Sequence, residues 1–126
     1  MRMTLTAVNL DCPDPLALAA FYAEATGLSP HERSDAGFAG LVGEGGGLLI
    51  GFQRVEDHRP PTWPAGEVPP QLHLDFEVDD LDEAVAALTA LGATLPPHQP
   101  RPDLWRVLLD PAGHPFCVSP RRRRGA

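Results

Sequence analysis

Lysine is missing altogether, and all 10 of the chain's basic residues are arginines. That absence excludes a Schiff-base lysine, a phosphopyridoxal linkage and a Walker-type phosphate loop. Basic charge of any kind is scarce, because 17 acidic residues leave a net charge of -7 and the single basic cluster is Arg121 to Arg124 at the C-terminal end. A body this acidic is a poor surface for DNA or anionic lipid, so neither nucleic acid nor membrane is an expected partner. The run itself reads as a disordered, Arg-rich tail over 120–126. Cysteine is limited to 2 residues, with no secretory leader and no apolar run of membrane-spanning length. This fits a cytoplasmic protein without a disulfide framework. Serine is confined to Ser29, Ser34 and Ser119, none inside a G-x-S-x-G elbow, which leaves no basis for a hydrolytic triad. The stretch Gly43-Glu44-Gly45-Gly46-Gly47 fails as a dinucleotide fingerprint, since Leu48 stands where the last glycine is needed. It reads as a hairpin turn.

What is present amounts to one globular domain over 1–119, because 126 residues that are 43% hydrophobic can bury an ordinary core. The pattern within it is written twice. In the first module, about 1–55, Thr4 to Cys12 alternates as a strand, with Val8, Leu10 and Cys12 on one face and Ala7, Asn9 and Asp11 on the other. A helix follows, capped by Asp14 with Pro15 at its first position, carrying an apolar stripe of Ala17, Ala20 and Phe21 and stopped by Gly27. Strands over Phe38 to Val42 and Leu48 to Phe52 complete it.

The second module, about 71–119, starts from Gln71 with Leu72, Leu74, Phe76 and Val78 alternating against His73, Asp75 and Glu77. Asp79 and Asp80 cap a helix with the stripe Leu81, Ala84, Val85, Leu88 and Leu91, stopped by Gly92. Leu104 to Leu109 and Pro115 to Ser119 then form a hairpin around Asp110-Pro111-Ala112-Gly113. Between the modules, residues 56–70 carry Pro60, Pro61, Pro64, Pro69 and Pro70, a composition that suits a stiff link and not a sheet. Trp63 in that link either covers a core edge or touches a ligand or a second subunit.

The triplet His73, Asp75 and Glu77 is the strongest chemical lead, because three titratable groups on one strand face repel and resist desolvation unless the face is wet or liganded. On one reading Glu77 or Asp75 is a general base for enolisation beside a carbonyl and His73 polarises or protonates; on the other, the face simply meets solvent. His31, His58, His98 and His114 read as exposed loop residues. Tyr22 reads as packing.

Together, Leu10-Asp11-Cys12-Pro13-Asp14, Phe21-Tyr22, Gly27-Leu28, the run His73 to Val78 with Asp79-Asp80, Leu91-Gly92, Asp110-Pro111-Ala112-Gly113 and Phe116-Cys117-Val118 resemble the vicinal oxygen chelate superfamily. That superfamily includes glyoxalase I, extradiol dioxygenases and the fosfomycin and bleomycin resistance proteins. The resemblance implies an α+β fold of two βαβββ modules forming a curled mixed sheet, with helices on one face, a small-molecule cleft on the other, and a homodimer. It implies metal ligands on the first and last strand of each module. Residue by residue these positions hold Ala7, or Val8 if the register slips, then Gln53, His73 and Cys117. Ala7 cannot bind a metal, and Cys117 stands where a Glu is common, so the implied set is His73, Gln53 and Cys117 with zinc, nickel, manganese or iron. Cys117 is otherwise a small apolar strand residue. Asn9, Trp63 and Trp105 are the expected cleft residues. Two functions follow: a lyase or isomerase acting on a small carbonyl compound, or a metal-free protein that sequesters a drug or metabolite as bleomycin resistance proteins do.

Overall fold

In the computed structural model, which describes residues 1–43 and 45–121, strands form where side chains alternate and helices where an aspartate precedes an apolar stripe. The chain divides into two compact units, Met1–His58 and Arg59–Ala126. The first runs β1 (Ala7–Cys12), α1 (Pro15–Thr26), β2 (Ser29–Pro30), β3 (Phe38–Val42) and β4 (Leu49–Arg54), with sheet order β1-β4-β3-β2. The second runs β5 (Leu74–Val78), α2 (Leu81–Leu91), β6 (Arg106–Leu109) and β7 (Pro115–Pro120), with order β5-β7-β6. In each unit the first strand lies parallel to the last, β1 on β4 and β5 on β7. The repeat read from sequence is therefore a repeat of topology, and the fold is α+β with two mixed sheets. The counterpart of β2 in the second unit is a single bridge, Thr94 with Leu109.

The helix ends follow from local chemistry. Asp14 accepts the N–H of Ala17 at 3.2 Å, Pro15 occupies the first position, and Gly27 closes α1 at φ 77 with its N–H on the Ala23 carbonyl. Asp80 alone caps α2, accepting from Glu83 at 2.9 Å, while Asp82 and Glu83 place negative charge at the positive end of the helix dipole. The buried stripe of α1 is Pro15, Leu18, Ala19, Phe21 and Tyr22, with Ala17 and Ala20 exposed. Leu18 and Tyr22 displace the alanines because they bury more apolar surface on the same i, i+4 spacing. Tyr22 stacks on Phe52 with centroids 5.6 Å apart, and both are fully buried, as a packing role requires. In α2 Leu88 alone is buried, and Leu91 is exposed.

Several strand limits differ from the periodicity, each for a backbone reason. β1 begins at Ala7 because its partner ladder starts at Leu49, just after three glycines with positive φ. β4 extends to Arg54, pairing with Cys12. β5 begins at Leu74, so Gln71, Leu72 and His73 precede the ladder and Leu72 is exposed, not under a helix. Pro115, next to Leu74's partner Phe116, has no N–H with which to extend the ladder. β6 begins at Arg106 because the N–H groups of Leu104 and Trp105 both turn back to the Arg101 carbonyl.

The Pro-rich stretch forms no strand, and its centre closes on itself through Thr62 and Val68, whose backbones bond at 2.6 Å. Of the expected tail, Pro120 ends β7 and Arg121 pairs with Asp79 at 2.8 Å; residues 122–126 lie outside the described residues. Of the four loop histidines, His31, His58 and His114 are half-buried and His98 is exposed. No helix among the described residues is long and apolar enough to cross a membrane.

Candidate functional site

The site is built on β7, the central strand of the second sheet. Its approach is fixed by the β6–β7 turn, where the Asp110 carboxylate accepts the N–H groups of Ala112 at 2.8 Å and His114 at 3.0 Å and Gly113 adopts φ 92. The resulting register sets Val107 opposite Cys117 on one side, and Asp75 of β5 opposite Cys117 on the other. Phe116 and Val118 point the other way and are buried. Alternation along β7 thus delivers Cys117 and Ser119 to one face.

On that face His73, Asp75 and Cys117 converge. Their ligand atoms all lie within 4.8 Å of one another. His73 Nε2 is 3.5 Å from Asp75 Oδ1, a contact that becomes ionic when the imidazole is protonated. Both side chains are open to solvent, whereas Cys117 is half-buried. Burial pushes the Cys117 thiol up from its ordinary value, and the Asp75 charge together with a thiol hydrogen bond to that carboxylate raises it further. The metal-free thiol is therefore held protonated.

The three groups line a cavity of about 740 Å³ whose walls include Trp63, Trp105, Leu104 and Val107. Trp63 is half-buried and tilted against the His98 ring at 5.5 Å. Five residues singled out in the sequence, His73, Asp75, Cys117, Trp63 and Trp105, thus share one cavity within the second unit. Glu77 follows Asp75 on the same strand face, exposed and opposite Ser119, which lines the cavity.

Gln53 and Asn9 belong to the Met1–His58 unit. Gln53 is exposed on β4, where its amide donates to the Gly37 and Arg54 carbonyls at 3.4 Å. Asn9 is exposed on β1 beside Gly51, where an added Cβ would collide with the Asn9 side chain and the Phe38 ring. Within the second unit the third donor beside His73 and Cys117 is Asp75, which the sequence presents as a base and not as a ligand. Its signal was its place two residues after His73 on an alternating stretch.

A family model for a glyoxalase-like domain matches residues 7–119. No curated protein matches the chain. Among solved structures, a glyoxalase/bleomycin resistance protein/dioxygenase family enzyme from Burkholderia phytofirmans PsJN is 28% identical, with a TM-score of 0.69 over 94% of this chain and 98% of that one. The fosfomycin resistance protein FosX from Listeria monocytogenes, solved with Mn(II) and 1S,2S-dihydroxypropylphosphonic acid, is 19% identical, with a TM-score of 0.69 over 97% and 95%. The oxidase ChaP-H2 is 20% identical, with a TM-score of 0.61 over 98% of each chain. The match over residues 7–119, joined to the repeated topology, shows that the chain belongs to the glyoxalase-like domain family of the vicinal oxygen chelate superfamily.

Proposed function

We propose that the protein is an enzyme of the lyase or isomerase kind, acting on a small carbonyl compound in the cavity of the second unit with a divalent metal held by His73, Asp75 and Cys117. The observation that carries this reading is the convergence of one nitrogen, one oxygen and one sulfur donor within 4.8 Å on the cavity wall. Such a set fits zinc, whereas manganese favours oxygen donors. A metal held by these three residues would supply Lewis-acid polarisation of a carbonyl oxygen. The chain's own residues do the rest. Cys117 gives up its thiol proton when it becomes a ligand, and His73 and Asp75 orient one another through their contact. Glu77, the next carboxylate on the same strand face and the partner of the cavity-lining Ser119, would take the proton from the carbon beside the carbonyl and return it to the adjacent carbon as the isomer forms. Trp63 and Trp105 keep water from the substrate's apolar side. The reading includes the cytoplasmic homodimer that the family resemblance implies.

Elemental analysis tests it, on protein loaded with zinc, nickel, manganese or iron(II) and then dialysed, beside His73→Ala. Near-stoichiometric zinc in the parent and its loss in the variant support the reading; no metal in either overturns it. The raised Cys117 thiol favours one second reading, a metal-free protein that sequesters its ligand. That reading calls for ligand-induced thermal stabilisation without metal.

A further inference from the structure

We infer that the ligand of this cavity is an uncharged compound with a flat aromatic body and a carbonyl head, and not a phosphorylated, phosphonate or carboxylate substrate. The inference rests on the proposed carbonyl-binding role of the cavity and adds the chemical class of what enters it.

Charge carries the first step. Among the described residues that line the cavity the acidic member is Asp75, there is no arginine, and the chain has no lysine. An anionic head entering the cavity meets the Asp75 carboxylate and, among the described lining residues, no arginine or lysine, so it loses hydration without a countercharge from that lining. A bound divalent metal does not change this result. One carboxylate and one thiolate cancel its two charges, leaving His73 as a neutral ligand and the site with no net attraction for anions.

Size and lining carry the second step. About 740 Å³ lies in the range of drug-sized ligands, far more than a three-carbon carbonyl compound fills. Besides His73, Asp75 and Cys117 the lining includes Trp63, Trp105 and Leu104, with Val107 beside Cys117 across the β6–β7 ladder. Both indoles are only half-buried, in a unit whose Phe116 and Leu108 are fully buried. Two partly open indoles supply faces on which a flat ring stacks.

Calorimetric titration of the full chain, both zinc-loaded and metal-stripped, with three probes tests the inference. 2-Hydroxyacetophenone carries the ring and a neutral head, hydroxyacetone keeps the head without the ring, and phenylglyoxylate keeps the ring with an anionic head. The neutral aromatic ketone is expected to bind at least about tenfold more tightly than either of the others. Trp105→Ala is expected to weaken it about tenfold, with Trp105→Phe retaining most of the affinity, both variants checked for an unchanged thermal melt. Equal or tighter binding of phenylglyoxylate or hydroxyacetone, no binding of the neutral ketone, or indifference to folded Trp105→Ala overturns the inference. The metal reading fails separately: discrimination among the probes in a protein that takes up no zinc removes the metal and leaves the ligand class standing.

Discussion

Asp75 on β5 and Cys117 on β7 are direct partners across a parallel ladder, and the Cys117 Sγ lies within 4.8 Å of the Asp75 carboxylate. A parallel pair of this kind requires the crossover through α2, so the β-α-β path of the second unit brings the two groups together. His73, just ahead of the ladder, then reaches Asp75 from the side. His73 and Asp75, two residues apart, and Cys117, far along the chain, become one donor cluster through register.

The Asp75 contact makes the thiol slow to react. Asp75→Asn removes the charge that helps hold the Cys117 proton, so iodoacetamide should alkylate the variant faster than the parent at a fixed mildly alkaline pH. Cys12, fully buried on the first sheet, serves as the internal control and should stay unmodified in both. Equal rates for parent and variant would contradict the coupling.

The same shift has a sign for stability. A thiol whose folded value lies above its unfolded one stabilises the fold below the ordinary value of 9.0, and that contribution disappears as pH climbs through the raised folded value. Metal-free protein should therefore lose thermal stability on the alkaline side of 9.0. Cys117→Ser should flatten that part of the curve, and an unchanged alkaline decline would assign it to other groups.

In the first unit the Tyr22–Phe52 stack joins α1 to β4, both rings fully buried and nearly parallel at 6°. Phe52→Ala should cost about 3–5 kcal/mol in urea unfolding, because the cavity left under α1 cannot collapse fully. A loss below about 1 kcal/mol would mean that this core is not close-packed.

Gly51 makes a sharper steric test. A methyl group there meets the Asn9 side chain and the Phe38 ring, so Gly51→Ala should destabilise by about 1–3 kcal/mol. Asn9→Ala in the same chain should recover part of that loss, since it removes one of the two obstacles; strict additivity of the two changes would rule out the contact.

How much of this was legible in the sequence depends on the kind of signal. Helix limits were, because Asp14, Pro15 and Gly27, and again Asp80 and Gly92, are local chemistry acting on adjacent backbone. The repeat was too, through alternation on β1 and β5. The inward stripe of α1 was not, since Ala17 and Leu18 are equally apolar to a pattern and only packing against β3 and β4 selects Leu18. Strand starts were missed where the partner decided them, as Pro115 does for β5. His73, Cys117, Trp63 and Trp105 were each visible as residues, but their sharing of one cavity depends on the β5–β7 register and the Pro-rich stretch. The pairing of Asp75 with Cys117, separated by an entire helix and hairpin, is non-local information that no window of sequence contains.

The central claim, a metal centre made by His73, Asp75 and Cys117, is tested most directly by zinc K-edge absorption spectroscopy on the zinc-loaded full chain. The account predicts a single sulfur scatterer at about 2.3 Å among nitrogen and oxygen neighbours at about 2.0–2.2 Å, with the sulfur shell vanishing in Cys117→Ser. A sulfur-free shell in the parent, or a protein that retains no zinc after dialysis, would contradict it.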